Sequence, residues 1–215
     1  MLSLLIGVGV FAGVLGFVNT CLIKKLQLTY SKHFWLFIPL YVASMAFSFL
    51  LVPASLMYVM HWLGLGLFLL TATVFIGFNF MWGRFVDVSS CYTYQEIPNH
   101  FKSILYLDGR RGLTKVFEIF FQQVCALFIV VGLIEVGLSV VSVILLFTGV
   151  VFLLHITSPK WFGRVYGNYF LWAATLLAPL EVYFILEYSI GLYLAAILHI
   201  IMYMVMYAMA YLLRK

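Results

Sequence analysis

Long apolar runs broken by short polar stretches dominate this chain. They fall at roughly 2–23, 34–58, 62–82, 113–134, 138–157, 167–187 and 189–212. None alternates polar and apolar positions, so the pattern predicts helices and argues against a barrel. A spanning helix needs about 20 residues. The stretch 34–82 must therefore hold two helices, divided near His61, with Pro53 interrupting the first. The first run has no basic residues before it, is too long for a signal peptide, and is followed by Lys24-Lys25. It is expected to stay as a span. The fold class that follows is all-α: a polytopic membrane helix bundle of about seven transmembrane helices.

Composition agrees. Of 215 residues, 66% are hydrophobic, 19% aromatic and 9% charged. A soluble domain carries about 25% charged residues, and no soluble fold of this length hides so much apolar surface. Charge placement adds an orientation. All 12 Lys and Arg fall in or beside the loops after the first, third and fifth runs or at the C-terminus, whereas Glu135 and Glu187 fall at the other ends. The positive-inside rule then predicts an N-terminus outside and a cytoplasmic C-terminus. The net charge of +5 is expected to attract anionic lipid headgroups. It implies no nucleic-acid partner, because the basic residues are split among separate loops and carry no recognition motif.

Cys21, Cys91 and Cys125 have neither disulfide-framework nor zinc-site spacing. One substantial loop spans 83–112, and its FKSILYL portion reads as a short interfacial helix or a solvated connector. The chain divides into N-terminal helices with this loop, 1–109, and a core, 110–215, that carries the polar chemistry.

An ionisable group inside a span costs about 2.5–3.5 kcal/mol and is usually paired or functional. Four qualify: Glu118, His155, Glu181 and His199. Glu118 shares a helix face with Thr114, Gln122 and Cys125, a polar stripe expected to face the bundle interior. Its plainer alternative is an ion pair with Lys115, three residues back. His155 stands near a helix end, where it can snorkel to the headgroups. His199, on a face with Met202, Tyr203 and Met206, lies close to mid-membrane; a hydrogen bond to a neighbouring helix is its plainer role. Glu181 is expected to make an interhelical hydrogen bond, or to stand as a protonated acid near the interface. If Glu118, His155 and His199 line one wet cavity, a carboxylate and an imidazole can activate water against a carbonyl while a second imidazole supports the oxyanion. The same three groups are a two-His, one-carboxylate metal set, although no HExxH pair accompanies them.

The order of these residues resembles the CPBP family, intramembrane glutamic endopeptidases that include type II CAAX prenyl proteases and bacteriocin-processing or immunity proteins. The family's EExxxR motif corresponds to Phe117-Glu118-Ile119-Phe120-Phe121-Gln122-Gln123, its FxxxH to the helix ending at His155, and its HxxxN or HxxxD to His199 with Tyr203. The match covers about residues 110–210 and departs at Phe117, Gln122 and Tyr203. The resemblance implies catalytic Glu118 and His155 as the water-activating pair, with His199 as oxyanion or substrate support. Gln122, Gln123 and Tyr203 would be supporting residues. It also implies a metal-independent peptidase with no cofactor, acting on a membrane-associated or lipidated peptide. Three other functions stand beside it: a non-catalytic relative with a binding or immunity role, a bis-histidine haem or metal protein using His155 and His199, and a transporter using Glu181 with the Pro53 and Pro179 breaks. Oligomeric state is left open.

Overall fold

The computed structural model describes residues 1–51, 61–85 and 108–212. Pro53, Cys91 and the FKSILYL segment lie outside the described residues. Among those described, all regular structure is helical: α1 (Leu2–Phe17, continuing as a π-helical turn over Val18–Lys25), α2 (Phe34–Leu51), α3 (Trp62–Phe85), α4 (Gly109–Glu135), α5 (Val140–His155), the short α6 (Ser158–Phe162), α7 (Arg164–Glu187) and α8 (Gly191–Leu212). Seven helical segments are long and apolar enough to cross a membrane. The chain is an integral, multi-pass helical bundle.

Local chemistry sets the element ends. Asp108 begins α4 earlier than the apolar pattern predicts, its carboxylate accepting from the Arg111 backbone N–H at 2.8 Å, so one open amide of the first turn is satisfied. At the other end the Leu138 amide reaches the Leu133 carbonyl and the Gly137 amide reaches that of Ile134. Gly137 sits at φ +91°, the left-handed position this helix stop favours. Ser139 then caps α5 through the Ser142 amide. Pro159 stands in the first turn of α6, where its missing N–H loses nothing.

α4 is the hub. It packs against α1, α2, α3, α5, α7 and α8, and 67% of its most apolar window is buried, against 11% for α5. Side chains on nearly every side of α4 therefore meet protein rather than lipid. That explains how this one helix holds Glu118, Gln122 and Gln123: a polar group in a span survives where a neighbouring helix can satisfy it. Two glycines bring α1 onto α4. A Cβ at Gly132 would stand 2.6 Å from the Leu4 Cβ and 2.7 Å from its Cα, and one at Gly7 would stand 2.9 Å from Ile129 Cγ1. Such close backbone approach replaces the hydrophobic drive that is missing between helices in lipid. These contacts run α1 antiparallel to α4. Tyr41 on Phe121 and Phe49 on Phe128 run α2 parallel to it. With the helices alternating, Lys24, Lys25, Lys32, Arg84, Arg110, Lys160 and Arg164 gather at one end of the bundle, and Glu135 and Glu187 at the other.

Candidate functional site

Two polar clusters flank the middle of α4. The first belongs to Glu118, which is 7% exposed. Its Oε1 accepts from Lys115 Nζ at 2.8 Å and from Gln122 Nε2 at 3.0 Å. All three side chains come from α4, as the i, i+3 and i, i+4 spacing allows. Tyr30 and Tyr41, whose hydroxyls are 2.8 Å apart, complete the surround. Burial pushes the Tyr30 phenol well above its ordinary range, and the nearby Glu118 charge adds to the shift. Thr114, on the same face, donates to the Arg110 carbonyl at 3.0 Å and reaches that of Tyr30 at 3.4 Å.

The second cluster joins three helices. Gln123 Nε2 of α4 lies 2.9 Å from His199 Nδ1 of α8 and 3.3 Å from Glu181 Oε1 of α7. His199 Nδ1 and Glu181 Oε1 are themselves 3.5 Å apart. His155 Nδ1 lies 2.8 Å from the Val151 carbonyl of its own helix. That carbonyl is an acceptor, so Nδ1 carries the hydrogen and Nε2 is left as a lone pair.

Tyr203 stands between the clusters. Its ring stacks on His199 at 5.6 Å and 13°, and the Lys115 ammonium lies 4.5 Å from its centroid, within cation–π range.

His199 and Gln123 are thus brought together with Glu181, while Glu118 is occupied by Lys115 and Gln122. The reason is helical phase. Glu118 and Gln123 are five residues apart, about 140° around the helix, so they serve different neighbours. The carboxylate beside His199 comes from α7. Sequence spacing had suggested an interhelical hydrogen bond for Glu181, and it makes one. Its membership of the histidine cluster was not foreseen; the two-turn distance of Glu181 from its helix end, matched to the similar depth of His199, was the available signal. Among the described residues no three His, Cys, Asp or Glu side chains are grouped to hold a metal ion, so the two-His, one-carboxylate metal set does not fit this geometry. A surface groove of about 390 Å³ runs between α1 and α2, lined by Gly9, Gly13, Ala43 and Phe47, away from both clusters.

Comparison with protein-family models, with curated proteins and with solved structures found no match.

Proposed function

We propose that this chain is a non-catalytic membrane protein, with an order of polar residues that resembles the CPBP endopeptidases, which binds a membrane-embedded or lipid-anchored peptide without cleaving it. The observation that carries this reading is the identity of the α4 side chain facing His199: it is the amide of Gln123. An amide can hold a peptide group or a water, but it cannot take a proton from water as a general base must. In the stretch that resembles the EExxxR motif, Phe117 stands at the first acid and Gln122 at the arginine, an amide in place of a cation. Glu118, the acid of that stretch, is paired with Lys115 and held by Gln122.

A second reading, an endopeptidase, is favoured by one contact, Glu181 Oε1 at 3.5 Å from His199 Nδ1. That acid–imidazole pair, drawn from α7 and α8, would replace Glu118 and His155 as the water-activating couple. The basic end of the bundle is proposed to face the cytoplasm, so a ligand anchored in the inner leaflet would approach from there.

The experiment uses the full chain in lipid nanodiscs with fluorescent farnesylated and transmembrane peptides. Binding is read by anisotropy and cleavage by mass spectrometry. Binding without cleavage is expected, with affinity unchanged by Glu118→Gln. Cleavage abolished by Glu181→Gln establishes the second reading. Cleavage abolished by Glu118→Gln overturns both and restores the glutamate first implied by the family resemblance.

A further inference from the structure

His199 Nδ1 and Glu181 Oε1 are both acceptors as they stand, 3.5 Å apart, and Gln123 Nε2 reaches each of them. An amide NH₂ has two hydrogens and can serve two acceptors. The arrangement requires an unprotonated Nδ1, so the imidazole in it is neutral and carries its hydrogen on Nε2. It also leaves Gln123 Oε1 buried with no hydrogen-bond partner, in a residue only 2% exposed. Leaving such an acceptor unmade costs about 1–3 kcal/mol. Turning the amide over would bring Oε1 against a carboxylate oxygen and an imidazole lone pair. Three acceptors would then face one another, an arrangement that becomes favourable only with a hydrogen on Nδ1.

We propose that Gln123, Glu181 and His199 form a proton-binding site inside the membrane, and that the Gln123 amide rotates by half a turn when the proton arrives. The proton passes from water to His199 Nδ1. The Gln123 N–H bond to that nitrogen breaks, because both groups are now donors, and rotation also gives up the Nε2 bond to Glu181 Oε1, whose donor becomes the imidazolium. Rotation about the terminal torsion exchanges two groups of nearly equal size, so the packing around the side chain is undisturbed. Oε1 then accepts from Nδ1–H, and the new imidazolium is balanced by the Glu181 carboxylate. The starting state, a neutral imidazole beside a free carboxylate, bears one negative charge, and uptake of the proton turns it into an ion pair of zero net charge.

The surroundings support a site that takes up one proton. His155 closes α5 with its Nδ1 on the Val151 carbonyl of its own helix. Tyr203 lies one turn along α8 with its ring on the imidazole, and behind it Lys115 and Glu118 of α4 already cancel each other. α3, packed on α8, contributes Phe68 and Phe75, against Tyr193 and Tyr207. Glu181 is the unneutralised acid beside the ring. This inference is independent of whether a peptide binds, because a proton needs no cavity.

The test is solid-state NMR of the full chain in lipid, ¹⁵N-labelled at His and Gln, over a range of pH. At high pH, His199 should show a bare Nδ1 and a protonated Nε2. As pH falls, the Gln123 side-chain amide signals should move with the same midpoint as the His199 ring. In His199→Asn they should stay constant. In Gln123→Met, which keeps length and lacks donors, the high-pH Nδ1 signal should lose its hydrogen-bond shift, a readout that remains if the first variant does not fold. A neutral His199 protonated at Nδ1, or Gln123 signals unmoved through the His199 transition, overturns the proposal.

Discussion

Gln123 Nε2 lies 2.9 Å from His199 Nδ1, fastening the centre of α4 to the centre of α8. The same nitrogen reaches Glu181 of α7, so a single side chain ties three helices. Gln123→Leu should therefore lower stability by about 2–3 kcal/mol, since it leaves two buried polar groups without their donor. Gln122→Leu removes one bond within a single helix and should cost about 1 kcal/mol. Unfolding of both variants in mixed micelles with increasing SDS checks the order. Equal losses would mean that the interhelical bonds carry no special weight.

The Lys115–Glu118 pair predicts a non-additive result. Both partners are largely enclosed, with side chains 13% and 9% exposed. Lys115→Met strands a carboxylate whose Oε2 already lacks a partner, and should cost about 3–5 kcal/mol, as breaking one side of a buried pair does. Adding Glu118→Gln removes the stranded charge and should recover most of that loss. A double-mutant cycle measures it. If Lys115→Met is nearly neutral, the ammonium is escaping to water and the pair is a surface feature.

The fold was legible because bilayer thickness dictates span length, and the lipid forbids open backbone. Seven apolar runs therefore become seven helices almost run for run. Their ends moved where a cap was decisive: Asp108 starts α4 at Gly109, several residues before the apolar run begins. The candidate side chains were legible as types, since a charge in a span is conspicuous at any position. Their partners were not. Whether Glu118 or Gln123 meets His199 depends on how α4 is rotated against α7 and α8, and a helix buried on nearly every side shows no apolar face from which to read that rotation. The ion pair with Lys115 was visible as i, i+3 spacing. The Glu181–His199 contact joins helices that only tertiary packing aligns.

Small residues make a third prediction. A side chain at Gly132 collides with the Leu4 backbone, whereas at Gly13 nothing lies within 4 Å. Gly132→Val should drive α1 off α4 and cost about 1–3 kcal/mol or more, the range for overpacking a tight contact. Gly13→Val should be close to neutral. The comparison uses the same substitution in the same helix pair, so differences in helix propensity largely cancel, and thermal aggregation in one detergent suffices to read it.

Orientation gives the last prediction. Lys160 lies at the end of the bundle where the basic residues gather, and Glu135 at the opposite end, 39% exposed at its side chain. In a chain with Cys21, Cys91 and Cys125 replaced by alanine, Lys160→Cys and Glu135→Cys should react with a membrane-impermeant maleimide from opposite sides of sealed cells or vesicles. The positive-inside rule rests on the cost of moving Lys and Arg across the bilayer during insertion. Glu135→Cys should therefore label in intact cells, and Lys160→Cys only after permeabilisation. Reversed labelling would put the basic end outside and remove the inner-leaflet route for a ligand. Labelling of both from one side would contradict the alternating helix directions on which both polar clusters depend.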